Sequence, residues 1–356
     1  MKTTRALAEL GQSLWLDNIT RPLLDEGTLQ RYIDELDVTG LTSNPTIYDK
    51  AIGDTDAYDG DIAAAAAAGM TGEATFFDLA LADLRRAADL FRPIHDRTGG
   101  VDGFVSLEVS PLLAYDALAT AAEARRLHAL GGRPNLFIKI PGTPEGLPAI
   151  EEAIAGGVPV NVTLLFSPGQ YLAAAKAYTR GIERRVAAGD PAFVASVASL
   201  FISRWDPFAA KQLPAALHNQ VGLAVGREAY SDCSAFFRSE RWQALIARGA
   251  RPQRLLFAST GTKDPSLPPT MYITGLAAPD TVNTMPEETL LATSRSEEAV
   301  TALDAQARGQ LALFARVGLD VEAAGLELQR MGAAAFVDSW GSLLDRIAAK
   351  AGAIQA

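Results

Sequence analysis

Eight short apolar runs of β type recur along the chain, separated by longer stretches with helical periodicity. They are "SLWLDNI" (13–19), "VTGLTSN" (38–44), "FVSLEVS" (104–110), "NLFIKIPG" (135–142), "PVNVTLLFS" (159–167), "VASVASLFIS" (194–203), "RLLFAST" (254–260) and "MYITGLA" (271–277). Between them lie segments such as "FFDLALADLRRAADLFRPIHD" (76–96), "LAYDALATAAEARRLHAL" (113–130) and "PGQYLAAAKAYTRGIERRVAA" (168–188). Strand–helix alternation forces parallel pairing, because each crossover brings the chain back to start in the same direction. Eight repeats point to an α/β protein of the (β/α)8, or TIM-barrel, type. An open doubly wound sheet fits less well, since no G-x-G-x-x-G follows an early strand.

The chain has 356 residues, against roughly 250 for a minimal barrel of this kind. The surplus falls in two places, a helical insertion at about 205–249 and C-terminal helices at about 290–356. In the tail, Leu311, Leu313, Phe314 and Val317, then Phe336, Trp340, Leu343 and Leu344, are spaced to lay apolar faces on the barrel. "DIAAAAAAGM" (61–70) reads as a plain surface helix. No Pro/Gly/Ser linker divides the sequence, so a single domain spanning 1–356 is expected.

Composition closes off several classes of function. A net charge of −10 is not the footprint of a nucleic-acid binder. Any anionic ligand must therefore be met by a local cluster of cations. Cys233 is the single cysteine, which excludes an intrachain disulfide and a cysteine metal cluster. His95, His128 and His218 are scattered through helical stretches, so no metal site is expected. No charge-free run of eighteen apolar residues and no signal-type core occurs, and a soluble, cytoplasmic protein without membrane partners is expected. Assembly as a homodimer is compatible with the sequence but not specified by it.

"NLFIKIPGTPEG" (135–146) sets a lysine, Lys139, inside a run that reads as a strand buried on both faces. Such a lysine either snorkels to water at the strand tip or is an amine held in an apolar pocket and used as a nucleophile. Its neighbours bear on the choice. In a parallel barrel the reactive side chains stand at the C-terminal ends of the strands. There the sequence carries Asp17 after "LWL", Asn44 after "GLTS", Glu108 in "SLEVSP", Asn161 and Thr163 in "VNVTLLFS", and Ser199 before "LFISR". Asn161 and Thr163 are two apart, hence on one face of their strand.

The chemistry of that set can be read. A Schiff-base lysine needs desolvation and a nearby acid/base to dehydrate the carbinolamine. Glu108 and Thr163 suit that task through a shared water. Carbon–carbon cleavage beside an iminium needs a base for a hydroxyl proton, which Asp17 can be. Asn44 and Asn161 can hold hydroxyls without adding charge. Arg204 and Lys263, with Ser199 and Ser259, provide a phosphate site near strands six and seven, and late barrel loops commonly bind phosphate. Phe201, between Ser199 and Arg204, offers an apolar ring and no proton.

At these residues the sequence resembles the transaldolases. "LWLDNITRPLL", "GLTSNPTI", "SLEVSP", "FIKIPGTPEG", "VNVTLLFS", "SLFISRWD" and "ASTGTKDP…PDTVNTMP" occur in that family's order, from about residue 13 to 290, with a weaker echo in "FVDSW" near 340. The resemblance implies Lys139 as Schiff-base lysine, Asp17 as acid/base and a Glu108–water–Thr163 relay. It implies Asn44 and Asn161 on the dihydroxyacetone unit, and Ser199 and Arg204 on the acceptor phosphate. The implied reaction, in the non-oxidative branch of the pentose phosphate pathway, moves dihydroxyacetone from sedoheptulose 7-phosphate to glyceraldehyde 3-phosphate. Erythrose 4-phosphate and fructose 6-phosphate result, with no metal or organic cofactor. One departure stands out: "ASTGTK" replaces the short "ASFR"-like turn of many members, so Lys263 takes the place of an arginine. Lysine is a point charge where arginine is a fork. Two rivals remain, a fructose 6-phosphate aldolase and a non-catalytic sugar-phosphate-binding barrel. Members of the aldolase type carry a tyrosine where this chain has Phe201.

Overall fold

A computed structural model describes residues 1–355. Its core is an eight-stranded parallel sheet: β1 (Ser13–Asp17), β2 (Val38–Thr42), β3 (Val105–Glu108), β4 (Leu136–Pro141), β5 (Val160–Leu165), β6 (Ser196–Phe201), β7 (Arg254–Ala258) and β8 (Val282–Met285). The strand order is β2-β1-β8-β7-β6-β5-β4-β3. The remaining gap is closed by two hydrogen bonds between β2 and the start of β3, Leu41 N–H to Phe104 O (3.0 Å) and Gly103 N–H to Thr39 O (3.0 Å). The expected (β/α)8 barrel is therefore the fold. Gly40 permits the closure, since a Cβ there would sit 2.7 Å from Phe104 O and from the Trp15 ring.

Seven of the eight expected strands are present, each slightly shorter than its apolar run. The overshoot has a local cause. Thr20, Asn44 and Ser167, each one or two residues before a proline, cap the helices Arg21–Asp25, Pro45–Asp54 and Pro168–Ala188. Their side chains accept from backbone N–H groups of the first turn, so the chain leaves the sheet before them.

The eighth strand is a correction. "MYITGLA" (271–277) is not β8: Met271–Gly275 is a short helix. Its buried residues, Tyr272 and Ile273, then Leu276 and Ala277, recur four apart, which is a helical spacing despite the β-type composition. The Tyr272 hydroxyl donates to buried Asp206. The strand is Val282–Met285, paired with β1 (Ser13↔Val282) and β7 (Leu256↔Val282). Asn283 and Thr284 break its apolar run, although all four of its residues are buried.

Between β6 and β7 run the helices Trp205–Ala209, Val221–Phe237 and Glu240–Ile246, and after β8 come Glu287–Arg295, Leu311–Arg316 and Val321–Gln355. The tail residues Phe314, Phe336, Trp340 and Leu343 are buried as expected, but Leu313 and Val317 face outward. The Ala-rich segment is helical over Asp59–Ala67, with Ile62 and Ala65 turned inward. The long helix Val321–Gln355 is fastened to the helices that follow β2, Pro45–Asp54 and Asp59–Ala67, by Ser339 to Thr46 (2.8 Å), Arg346 to Asp49 (2.7 Å) and Lys350 to Asp59 (2.6 Å).

Alternation along the strands sorts the barrel interior into layers. A middle layer of Trp15, Phe104, Phe137, Val197, Leu256 and Val282 forms its own apolar cluster, with the Phe104 and Phe137 rings stacked at 4.1 Å. Polar side chains gather above it, at the C-terminal ends of the strands.

Candidate active site

Lys139 is 4% exposed. Its Nζ donates to the backbone carbonyl of Ser43 (2.8 Å) and to Glu108 Oε2 (2.9 Å). Strand register produces the second contact, because Glu108 and Lys139 are partners across β3 and β4. The lysine is thus a buried amine beside one carboxylate, and it does not snorkel. Burial pushes the Glu108 carboxyl above its ordinary range, the Lys139 charge opposes that, and Asp17 adds a little in the same direction as burial.

One strand further round, Asn161 is the register partner of Lys139. Its Nδ2 donates to Ser106 Oγ (3.2 Å), and its Oδ1 accepts from Ser199 Oγ (2.7 Å). Ser199 is buried on Asn161, while Arg204 is exposed at the rim. No hydrogen bond joins the Ser199 and Arg204 side chains among the described residues.

Thr163 is fully buried with its Oγ1 unpartnered. It sits at an irregularity of β5, where pairing with β6 shifts between Val162 and Leu165 and Leu164 takes φ 58°. A branched residue with positive φ is strained. Gln329, from the helix Val321–Gln355, holds the bulge by donating through Nε2 to Leu164 O (2.8 Å) and Gly142 O (3.0 Å).

On the other side of the lysine, Asp17 is half-buried and accepts from Thr42 Oγ1 (2.7 Å), which itself meets Thr284 Oγ1 (2.7 Å). Burial raises the Asp17 carboxyl, while the Thr42 bond and the charges of Lys139 and Lys263 lower it. Asn44 spends its Oδ1 on the N–H of Ile47 (3.1 Å), which leaves its amide Nδ2 outside that bond.

The rim carries the cations. Lys263 is exposed, and its ammonium is lowered by desolvation and by the like charge of Arg204. Among the described residues neither Arg204 nor Lys263 has an ion-pair partner. Ser259, at φ 54°, pairs with Ser203 (3.0 Å). The Phe201 ring is half-buried, 5.2 Å from Phe166.

A cavity of about 740 Å3 lies elsewhere, at the N-terminal end of the strands, lined by Ser13, Asp102, Phe193, Cys233 and Arg254 among others. None of the upper polar residues lines it, and the chemistry of a parallel barrel belongs at the other face.

Sequence reasoning missed Thr42, Ser43, Thr284, Ser203 and Gln329. Thr284 was out of reach because its strand was placed at 271–277. Ser43 contributes a backbone oxygen, which no side-chain motif announces. Gln329 arrives from a helix more than 160 residues from the carbonyls it holds.

Comparison with known proteins agrees with this geometry. A family model described as transaldolase/fructose-6-phosphate aldolase matches residues 14–347. A transaldolase of Thermobifida fusca is 46% identical over 354 residues, covering 96% of both chains. One from Frankia alni is 44% identical over 358 residues, covering 97% of this chain and 96% of its own. One from Thiobacillus denitrificans is 42% identical over 358 residues, covering 98% of this chain and all of its own. A match along nearly the whole barrel, at these identities, places the chain in the transaldolase/fructose-6-phosphate aldolase family.

Proposed function

We propose that this enzyme is a transaldolase, a transferase that moves a dihydroxyacetone unit from sedoheptulose 7-phosphate to glyceraldehyde 3-phosphate in the non-oxidative pentose phosphate pathway. The observation that carries the reading is the buried Lys139–Glu108 pair, set between Asp17 and Asn161 in a chain of this family.

Lys139 Nζ attacks the C2 carbonyl of the donor ketose. The resulting carbinolamine loses its oxygen as water, with Glu108 and Thr163 handling protons through a bound water, and an iminium forms. Asp17 takes the proton of the C4 hydroxyl, the C3–C4 electron pair moves into the iminium, and erythrose 4-phosphate leaves. The three-carbon enamine stays on Lys139. It then attacks the incoming aldehyde, Asp17 returns its proton to the new hydroxyl, and hydrolysis releases fructose 6-phosphate. Asn44 and Asn161 hold the hydroxyls of the three-carbon unit.

Arg204 and Lys263, two neighbouring cations with no protein counter-ion among the described residues, bind the phosphate with Ser259, while Ser199 holds the Asn161 amide in place. A dianion between them relieves the like-charge repulsion that, after desolvation, lowers Lys263. Among the described residues no helix is long and apolar enough to cross a membrane, and we place the activity in the cytoplasm.

The test is reduction of the imine. Borohydride with fructose 6-phosphate should add a reduced three-carbon unit to the peptide carrying Lys139. Labelling that persists in Lys139→Ala would sink the assignment.

A further inference from the structure

The indole donors of Trp15, Trp205 and Trp242 are all paired, to Asp102 (2.9 Å), Phe166 O (2.8 Å) and Thr179 (3.0 Å) respectively. Trp340 differs. It lies on the helix Val321–Gln355, 2% exposed, with its Nε1–H lacking any partner among the described residues. Its ring is fixed edge-on against Phe76 at 4.8 Å and tilted against Phe77 at 5.8 Å. Glu108 presents the complementary orphan: Oε2 receives Lys139, whereas Oε1 is buried and receives nothing. The two residues line one small cavity of about 10 Å3, together with Ser43, Asn44 and Tyr48.

That volume is the room a single water needs, and a buried water needs two or more polar partners. A buried indole N–H and a buried carboxylate oxygen are each costly to leave unpaired. Ser43 Oγ adds a further acceptor, since its own proton goes to Ser106 O (2.8 Å). We propose that this cavity is a water-binding site, in which one buried water accepts from Trp340 Nε1–H and donates to Glu108 Oε1. The site makes Trp340 a positioning residue for Glu108, and its catalytic consequence rests on the reading of Glu108 as an acid/base.

The direction of the effect follows from donor chemistry. An indole N–H can only donate. It occupies a lone pair of the water and turns the water's protons toward the carboxylate, which favours the ionised form of Glu108. The other groups facing Glu108 are Lys139 from β4, which acts in the same sense, and Asp17 from β1, which opposes it. Tyr48, from the helix Pro45–Asp54, is pushed well above its ordinary range by burial and stays neutral. Removing the indole donor while keeping the ring should therefore make Glu108 harder to ionise.

The test has two readouts. In 15N-tryptophan protein, the Trp340 indole resonance, assigned by its loss in Trp340→Phe, should shift with pH through one inflection that disappears in Glu108→Gln. A pH-independent Trp340 resonance overturns the proposal, and this readout needs only the wild-type fold. In borohydride-trapped imine formation, Trp340→Phe should move the acidic limb of the pH profile upward by about one unit, the size expected for a lost hydrogen bond to a charged group. An unmoved limb in a folded Trp340→Phe variant also overturns it. An indole inflection alongside an acidic limb that survives in Glu108→Gln leaves the water site standing and removes Glu108 from its acid/base role.

Discussion

Asp17 is half-buried and Glu108 buried, and desolvation lifts both carboxyls above their ordinary range. Only Glu108 has a charged partner in contact; Asp17 has a threonine hydroxyl. Folding thus shifts Asp17 toward its neutral form relative to the unfolded chain. For a carboxyl raised in the folded state, the unfolded chain ionises first, so stability falls as pH climbs from the unfolded value through the folded one. Asp17→Asn removes that loss while retaining an oxygen for Thr42. At pH 7 its melting midpoint should exceed that of the parent by ~1–3 °C, and the difference should vanish when the pH is taken below the ordinary carboxylate range. Cleavage of fructose 6-phosphate should drop by the 10²–10⁴-fold associated with a lost general base. A lower midpoint at pH 7 would mean that the Thr42 bond outweighs desolvation. Phe201 sets a second expectation at this scale. A phenyl ring cannot protonate an enamine, so the three-carbon unit waits for an aldehyde. Phe201→Tyr should raise release of dihydroxyacetone without acceptor relative to transfer. A flat ratio in a folded, imine-forming variant would make Phe201 a packing residue only.

Among the elements, the strands were legible because each is an apolar run of the right length, and their polar tips were legible because period two places Asn161 and Thr163 on one face. Their ends were less so: Asn44 and Ser167 read as strand residues, yet they serve as helix caps. β8 was hidden by composition, since Asn283 and Thr284 look like loop while Tyr272 and Ile273 look like strand. The helix Val321–Gln355 was legible as an amphipathic helix but not as part of the site, because Gln329 and Trp340 meet β3, β4 and β5 only in three dimensions. Gln329 carries a prediction. Gln329→Leu would leave the carbonyls of Gly142 and Leu164 buried without donors, costing about 2 kcal/mol, and would free the strained Leu164 to relax. Chemical denaturation should show the lower midpoint with an unchanged slope, and imine formation should slow more than phosphate binding weakens. Wild-type imine formation in this variant would detach Thr163 from the shape of the bulge.

At the scale of the molecule the barrel is divided by its aromatic middle layer. Below it lies the large N-terminal cavity with Arg254 and Asp102; above it lie the lysine and its carboxylates. The ring is built from strands consecutive in sequence except at the β1–β8 seam, and the upper face is then fastened by a helix whose contacts bridge nearly 300 residues, as with Arg346 and Asp49. Joining such distant segments is entropically the most demanding part of folding, and it comes after local pairs have formed. The ribosome makes Val321–Gln355 after every strand. During synthesis, then, the amine of Lys139 is present in a chain that still lacks Gln329 and Trp340. With Gln329 shaping the bulge of β5 and Trp340 positioning Glu108 as proposed, a barrel still lacking this helix should be slow to form an imine with the ketoses around it.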